Sequence, residues 1–385
     1  MLKLLRNVYC QKQASKVWAD FLSESLLKIG FYRSLIDDCV FYRGNLVFLV
    51  YVDDGIFVSL VGTSISSVIM ELKDSKLKLE DQGHPADYVG VNIKNQGEGS
   101  YYFTQPALTQ QITKDVCLGP RTTTKPIPIC AQRILHLHLD SPPHDNIKLQ
   151  YRSVIGKLNY LDHCTQPDIV YAVHQCARFS SNPHKKYTNA VECISRYLKG
   201  TLDLGLSFRP DISKSFECFA DVNYCGNWSC TLAETDPSTA KFRSGWIITY
   251  VGFPIIWASR LQGHVATSTP MAEYIALSSA LRDVITIMEL MDKLKGRGYD
   301  LISTEPIIYC KAFEDNSGAL EIARLPKMCT RTKAINVIYH HFREYVSVGM
   351  IKIYPIYTHD KIADMFTKPL AQNNFFKHRV KVWSS

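Results

Sequence analysis

Two adjacent carboxylates, Asp53 and Asp54, lie between two apolar runs at residues 46–50 and 55–61. β-Branched and aromatic residues on both sides of a short polar step are typical of a β-hairpin, so the pattern predicts two strands with residues 51–54 at their tip. Two neighbouring anions favour a partner charge, and a divalent cation such as Mg²⁺ suits carboxylate ligands. An ordinary solvated turn is the alternative that these residues leave open.

Further motifs surround this hairpin in a particular order. Apolar residues at helical spacing start at Trp18, and the stretch 30–42 leads into the hairpin. The segments 77–83 and 87–91 follow it. Together these motifs resemble the reverse transcriptase of copia-type retrotransposon polyproteins. The resemblance implies that Asp53 and Asp54 bind Mg²⁺ (or Mn²⁺) in the palm of a polymerase.

The composition describes a folded chain with a mild preference for polyanions. Its 385 residues are 46% hydrophobic and 21% charged, which indicates globular structure with room for two or three domains. The net charge of +8 is compatible with nucleic acid without being diagnostic. Twelve cysteines without a Cys-x-x-Cys pair predict reduced thiols rather than a disulfide framework. The run 46–61 is too short for a membrane helix, which needs ~20 residues, and it has two acids at its centre.

A helical block is predicted after a proline-containing connector. Apolar residues at helical spacing predict helices at 151–161, from Pro167 onward, and at 190–199. This block also resembles the copia family, between polymerase and nuclease. Its basic residues alternate with tyrosines and suit the backbone of a nucleic-acid duplex, although a solvated helical face is the alternative. The predicted nucleic-acid-binding residues, including three from the following domain, are Arg152, Lys157, Lys185, Lys186, Arg196, Arg331, Lys333 and Arg343.

Beyond residue 214 the pattern changes to strands followed by alternating helices and strands, which predicts a mixed α/β domain. The predicted strands are 216–224, 245–251, 253–258, 264–268, 307–310 and 350–357. A long helix is expected after 268, with Thr269 as its cap and Pro270 in its first turn. A short helix is expected at 317–323, and Asp364 is expected to open a final helix at 362–370.

Four acids of this domain lie within motifs that resemble the RNase H domain of the same polyproteins. The motifs include Ala220-Asp221, Ser244-Gly245-Trp246, the segment 268–277, Glu314-Asp315-Asn316 and the segment 363–370. The resemblance implies a two-metal nuclease whose acids are Asp221, Glu273, Asp315 and Asp364. Two Mg²⁺ ions about 3.5–4 Å apart promote phosphodiester hydrolysis, which explains a set of four carboxylates. Each acid taken singly could instead be a solvated surface group.

Some positions depart from the family pattern. The family's first polymerase motif, which carries a third metal-binding Asp, is expected upstream of Lys12, so the polymerase site is predicted to be incomplete and inactive. Cys10 replaces a glycine at which the backbone approaches the nucleotide. In the nuclease motifs, Asn223 and Met271 each replace an acid that is common in the family, and Ala334 replaces a common histidine.

The resulting prediction is an α/β fragment of a copia-type reverse transcriptase and RNase H. Its parts are a partial polymerase palm (1–98), a connector (99–150), a helical thumb or connection (151–210), an RNase H-like domain (214–372) and a tail (373–385). The expected partner is an RNA–DNA hybrid or a template–primer, with other parts of the polyprotein as further partners. We expect no membrane segment or signal peptide, and a location in the cytoplasm, in virus-like particles of the intact element, or in the nucleus. A non-catalytic nucleic-acid-binding remnant and an unfolded product are the competing hypotheses.

Overall fold

The computed structural model describes most of the chain. The described residues are 11–60, 65–75, 77, 79–129, 135–136, 150–223, 228, 230–232, 236–263, 265–301, 309–325, 335 and 337–383. Predictions about Cys10, Arg331, Lys333 and Ala334 lie outside these residues. The chain divides into two compact units, and each is mixed α/β, so the predicted class is confirmed. The first unit is Met1–Val89 with Glu289–Leu301, and the second is Gly90–Met288 with Ile302–Ser385.

The first unit contains an antiparallel sheet and two helices. Its elements are α1 (Ala14–Lys28), β1 (Tyr32–Arg33), β2 (Val40–Arg43), β3 (Leu46–Tyr51), β4 (Asp54–Ser59), α2 (Ile65–Asp74) and β5 (Asp87–Tyr88). The sheet order is β1-β2-β3-β4. Tyr51 pairs with Asp54 across a tight turn in which Val52 has a φ of 54°, so the predicted hairpin is confirmed.

The core of the first unit lies between the sheet and the two helices. Leu26 of α1, Phe48 of β3 and Leu72 of α2 belong to one buried apolar cluster. The helical spacing of apolar residues predicts one buried face on α1. Leu22 and Leu26, four residues apart, lie on that buried face.

The second unit begins with β6 (Val91–Gly97), β7 (Ser100–Thr104) and α3 (Pro106–Asp115), so the range 99–150 starts with regular structure. A block of three helices follows. They are α4 (Tyr151–Cys164), α5 (Val170–Ala177) and α6 (Lys185–Lys199). The last of them starts five residues before the predicted 190, because the chain is extended up to His184. Strand β8 (Leu206–Phe208) then pairs with β7.

The remaining chain of the second unit builds a five-stranded sheet with helices. Its elements are β9 (Phe216–Asn223), β10 (Arg243–Tyr250), β11 (Phe253–Leu261), α7 (Thr269–Lys295), β12 (Cys310–Glu314), α8 (Ser317–Arg324), α9 (Arg343–Ser347), β13 (Ile351–Pro355) and α10 (Gln372–Trp383). The last residues of α7, from Glu289 onward, are counted with the first unit. The sheet order is β11-β10-β9-β12-β13. Strand β9 is antiparallel to β10 and parallel to β12, and β12 is parallel to β13.

Four predictions about local structure are corrected. Residues 265–268 form no strand, because the chain turns into α7 there, and Ser268 rather than Thr269 accepts a hydrogen bond from the Met271 N–H at 3.4 Å. The strand predicted at 307–310 runs from Cys310 to Glu314, with 302–308 outside the described residues. A 3-10 helix at Ile362–Phe366 replaces the helix predicted at 362–370, because Pro369 and the Thr367 turn end it early.

The fourth correction concerns the C-terminal residues, which were predicted as a tail. They form α10, whose Phe375, Val382 and Trp383 belong to the main apolar core of the second unit. No helix among the described residues is long and apolar enough to cross a membrane.

Candidate functional site

Five acids from four separate elements of the second unit surround one end of the sheet. Parallel strands β9 and β12 are neighbours, and Phe219 of β9 is in register with Phe313 of β12. Asp221 and Asp315 each follow two residues later, so both lie at the same edge. Glu273 is the fifth residue of α7, and Asp364 comes from the 3-10 helix that follows β13. Glu314, the last residue of β12, is the fifth acid.

Three of these acids meet closely enough to share a cation. One carboxylate oxygen each from Asp221, Glu273 and Asp315 can be chosen so that all three lie within 4.8 Å of one another. An all-oxygen donor set of this kind suits Mg²⁺ or Mn²⁺ rather than the softer transition metals. Glu273 Oε2 is buried and has no hydrogen-bond partner, which leaves a ligand atom directed at the cluster. The residues therefore fit a divalent metal.

A lysine also contacts this cluster. The side chain of Lys361 is 0% exposed, and its Nζ lies 2.5 Å from Asp315 Oδ1 and 3.1 Å from Asp221 Oδ1. The same ammonium is 3.6 Å from Glu273 Oε2 and 3.6 Å from Glu314 Oε1. A buried charge is costly without partners, and here four carboxylates compensate the ammonium. Burial alone would lower the pKa of Lys361, but the surrounding carboxylates outweigh it and raise that pKa.

Glu314 is the acid that sequence reasoning missed. Its side chain is fully buried, and its Oε1 accepts a hydrogen bond from the Asn316 N–H at 2.9 Å. Alternation along β12 would have predicted an inward-facing side chain at this position, since Cys310, Ala312 and Glu314 share the buried face. A glutamate at a position that strand alternation predicts to be buried indicates a functional or paired carboxylate, and this indication was available in the sequence.

The electrostatics of the cluster differ from one carboxyl to the next. Burial raises the pKa of Glu273 to about 9, against the opposing effect of Lys361. Burial likewise raises the pKa of Glu314 to about 7. At Asp315, burial is opposed by Lys361 and by a 2.9 Å hydrogen bond from Thr358 Oγ1, and together these hold its pKa below the usual value. Asp315 is thus the anion most firmly paired with the ammonium.

Asp364 lies on the other side of Asp221. Its Oδ2 is 2.9 Å from Lys368 Nζ, and its buried Oδ1 has no hydrogen-bond partner. Burial, followed by the neighbouring charge of Asp221, raises the pKa of Asp364 to about 6. The fourth predicted acid therefore borders the cluster through Asp221, and it does not belong to the three-ligand group.

Close backbone packing places Asp364 and its turn over the sheet. Gly245 of β10 pairs with Asp221, and a Cβ at position 245 would lie 2.6 Å from Phe366 Cβ and 2.7 Å from Thr367 Cγ2. Only a glycine leaves room for this approach. The Thr367 hydroxyl then donates a hydrogen bond to Asp221 Oδ2. Asn223 donates to the Thr367 carbonyl at 3.3 Å, so this departure from the family pattern holds the same turn.

The predicted nucleic-acid-binding residues have different environments. Arg152, Lys185 and Lys186 are exposed. Lys157 is paired with Asp115 at 2.6 Å, and Arg196 donates to the Thr123 carbonyl at 2.7 Å.

Two further basic residues donate inward. Arg343 donates to the Tyr274 hydroxyl at 3.1 Å and to the Ile322 carbonyl at 2.8 Å. Lys199, another basic residue of α6, donates to the carbonyls of Gly119, Pro120 and Thr122. Arg196, Lys199 and Arg343 therefore connect segments of the second unit.

Asp53 and Asp54 are exposed at the tip of the β3–β4 hairpin. The indole Nε1 of Trp18 donates to the Val52 carbonyl at 2.8 Å and so ties α1 to the turn. Among the residues that the structure describes, no third metal-ligating side chain joins these two acids in a cluster. The hairpin thus presents two carboxylates to solvent.

Comparison with known proteins decides the relationship of the chain. Residues 1–131 match the family described as reverse transcriptase (RNA-dependent DNA polymerase). The chain is related to copia-type retrotransposon polyproteins. It is 28% identical over 97% of its length to the retrovirus-related Pol polyprotein from transposon RE2 of Arabidopsis thaliana, and 28% identical over 99% of its length to that from transposon RE1. The polyprotein from transposon TNT 1-94 of Nicotiana tabacum is 28% identical over 97% of the chain.

These retrotransposon relatives are much longer proteins. The chain spans 24%, 25% and 27% of their respective lengths. The reverse transcriptase resemblance inferred from the hairpin and its flanking motifs is confirmed by the match to residues 1–131. The family match ends before the first residue of the five-acid cluster, Asp221.

Proposed function

We propose that the second unit contains an RNase H-like nuclease that hydrolyses the RNA strand of an RNA–DNA hybrid. The observation that carries the proposal is the meeting of Asp221, Glu273 and Asp315 within 4.8 Å, from three elements far apart in sequence. Acids without a shared function are normally solvated at the surface, because like charges repel one another and burial of a charge costs free energy. The order of the sheet, with three antiparallel strands (β11, β10 and β9) followed by two parallel additions (β12 and β13), suits such a domain at about residues 214–372.

Each acid has a distinct role in this proposal. Asp221, Glu273 and Asp315 would hold a divalent metal, and Asp364 with Asp221 would hold a second one. The metals would supply an activated water and stabilisation of the leaving oxygen. Thr367 orients Asp221 through its hydroxyl, and the Asn316 N–H fixes Glu314 behind the ligands.

The partner surface would include the exposed lysines of α6. Lys185 and Lys186 are the first two residues of this helix, and both are exposed to a phosphate backbone, as is Arg152 on α4. Recognition of a hybrid is mainly by backbone charge and shape. In this proposal the helical block is the thumb or connection, and the first unit is a polymerase palm whose turn carries Asp53 and Asp54.

The test is cleavage of a labelled RNA–DNA hybrid in Mg²⁺ by the purified chain. We expect weak, Mg²⁺-dependent hydrolysis of the RNA strand that is lost in Glu273→Gln. The matched control is Glu344→Gln, which removes an exposed acid of α9 and should cleave like the wild type. Circular dichroism should give the same spectrum for all three proteins. Equal cleavage by wild type and Glu273→Gln would rule out the nuclease assignment.

A second candidate is a non-catalytic nucleic-acid-binding protein. The observation that favours it is Lys361, whose ammonium contacts the carboxylates that a metal would need. The two candidates differ in the cleavage assay, because a binding protein would retain hybrid affinity without any Mg²⁺-dependent product. Arg152, Lys185 and Lys186 would serve either function.

A further inference from the structure

Lys361 is held in the carboxylate cluster by the backbone on both sides of it. It lies between two 3-10 helices, Thr358–Asp360 and Ile362–Phe366. Its N–H donates to the Thr358 carbonyl at 3.3 Å, and its carbonyl accepts from the Asp364 N–H at 3.2 Å. The Thr358 hydroxyl is itself bonded to Asp315. The segment that carries Lys361 is thus attached to the cluster independently of the ammonium.

The position of the ammonium coincides with the place of a shared cation. Asp221, Glu273 and Asp315 form the three-ligand group, and Lys361 Nζ is between 2.5 and 3.6 Å from one oxygen of each. A fourth carboxylate, Glu314, is 3.6 Å away and completes its surroundings. The other lysine of the site, Lys368, has a side chain that is 36% exposed and is paired with Asp364.

We propose that Lys361 is an internal cation that holds this cluster together in the absence of metal and competes with a divalent ion for Asp221, Glu273 and Asp315. The inference rests on the proposed function, because the same three carboxylates would bind the metal there. Its physical basis is Coulombic. A divalent ion and an ammonium cannot share the same oxygens at these distances without strong repulsion, so binding of one disfavours the other.

The proposal makes two claims about the wild-type chain. The cluster is neutralised in part without metal, so removal of metal by EDTA should leave the folded state intact. The affinity for Mg²⁺ should be lower than the five acids would otherwise allow. A purely structural buried ion pair would share the first property but not the second, since it would not oppose metal binding.

The experiment measures Mg²⁺ affinity by isothermal titration calorimetry in metal-free buffer. The variant is Lys361→Gln, which keeps a hydrogen-bond donor and removes the charge. The matched control is Lys377→Gln, because Lys377 is half-exposed and paired with Asp360 outside the cluster. We expect Lys361→Gln to bind Mg²⁺ about tenfold or more tightly than the wild type, the direction that the removed repulsion sets. Lys377→Gln should bind like the wild type.

The same proteins should differ in thermal stability. In EDTA, Lys361→Gln should melt at a lower temperature than the wild type, because its carboxylates have lost their cation. Addition of Mg²⁺ should raise its melting temperature by more than that of the wild type. Equal or weaker Mg²⁺ binding by Lys361→Gln would overturn the proposal, and so would an equal Mg²⁺-induced shift.

The outcomes separate this inference from the nuclease assignment. Mg²⁺ binding by Lys361→Gln with none by the wild type supports the internal cation and contradicts a metal-dependent wild-type enzyme. Wild-type cleavage with unchanged affinity in Lys361→Gln supports the nuclease and overturns the internal cation. Absence of binding in both proteins overturns both.

A measurement on the wild type covers the case in which Lys361→Gln does not fold. Acetic anhydride labelling followed by mass spectrometry reports the accessibility of each lysine. Lys361 should be protected in EDTA and become labelled as Mg²⁺ is added, whereas Lys377 should be labelled equally throughout. Protection of Lys361 that persists at saturating Mg²⁺ would overturn the proposal.

Discussion

The hydroxyl of Thr367 donates a hydrogen bond to Asp221, although 146 residues separate the two along the chain. Both side chains are buried, so loss of the hydroxyl leaves a carboxylate oxygen with less compensation. We expect Thr367→Val to destabilise the second unit by about 1–3 kcal/mol and to weaken Mg²⁺ binding. Thr367→Ser retains the donor and should lie much closer to the wild type. Urea unfolding checks the first effect, and a Thr367→Val variant as stable as Thr367→Ser would contradict the role of the bond.

Gly245 is the residue of the sheet against which the turn after Asp364 packs most closely. A methyl group there would meet Phe366 Cβ at 2.6 Å and the Phe366 carbonyl carbon at 3.0 Å, and neither atom belongs to a flexible side-chain end. We expect Gly245→Ala to cost about 1–3 kcal/mol through overpacking and to reduce the proposed nuclease activity by shifting Thr367.

Gly156 supplies the control for this substitution. It lies within α4, and a Cβ there would have no heavy atom within 4 Å. Gly156→Ala should stabilise the protein by about 0.5–1 kcal/mol, the propensity difference within a helix. Thermal unfolding of both variants provides the comparison, and a neutral Gly245→Ala would show that the turn can move without cost.

Asp168 should make stability depend on pH in the acid range. This fully buried carboxyl accepts a hydrogen bond from the Tyr197 hydroxyl, and burial outweighs that bond and the charge of Arg379 to raise its pKa to about 6. The unfolded pKa is about 3.9. The folded state therefore binds more protons than the unfolded state between these values, and the free energy of unfolding falls as pH rises from about 4 to about 6.

The variant Asp168→Asn isolates this contribution. It keeps an acceptor for Tyr197 and cannot ionise, so it should gain up to about 3 kcal/mol over the wild type at pH 7 and lose that advantage near pH 4. Exposed Asp203 gives the control, since Asp203→Asn should follow the wild-type curve. Urea unfolding at several pH values measures the difference. A constant offset between Asp168→Asn and the wild type would refute the assigned linkage.

Nucleic-acid binding should depend on Lys185 and Lys186 through salt. Both are exposed, and each phosphate contact contributes about 0.9 to the log–log salt slope on B-form DNA. We expect the double charge reversal Lys185→Glu, Lys186→Glu to flatten that slope for a hybrid, measured by fluorescence anisotropy. Arg196→Met should instead lower stability and leave the slope unchanged, because its guanidinium donates to Thr123. An unaltered slope in the double variant would move the binding face elsewhere, with Arg152 as the next candidate.

The β3–β4 turn should not support DNA synthesis in the purified chain. Asp53 and Asp54 are exposed, and no third ligand joins them among the described residues. Two-metal polymerase chemistry needs ligands that hold both ions. A primer-extension assay on an RNA template should yield no product. Nucleotide incorporation that disappears in Asp53→Asn, with contaminating polymerases excluded, would show that the turn is active.

Local sequence determined the hairpin, most of the helices and the relationship to retrotransposon proteins. Apolar alternation and a two-residue polar tip define β3 and β4, because side chains in a strand alternate between faces. Helical spacing similarly defined α1, α4 and most of α7. The predictions of local structure were wrong where contacts with distant residues determine the conformation. The C-terminal residues are an example, because they form a helix whose Phe375 and Trp383 pack in the core.

The tertiary structure alone decided how the acids and cations pair. The motifs in the sequence predicted the four acids. They did not predict that Glu314 would join the cluster or that the Lys361 ammonium would lie among four carboxylates, because strands and turns distant in sequence bring these groups together. From the sequence, Arg196 is expected to be a solvated cation on a helix. In the structure its guanidinium donates a hydrogen bond to the carbonyl of Thr123, 73 residues away. Charge and residue type are local properties of a sequence, whereas burial and partner choice arise only when separate elements pack together.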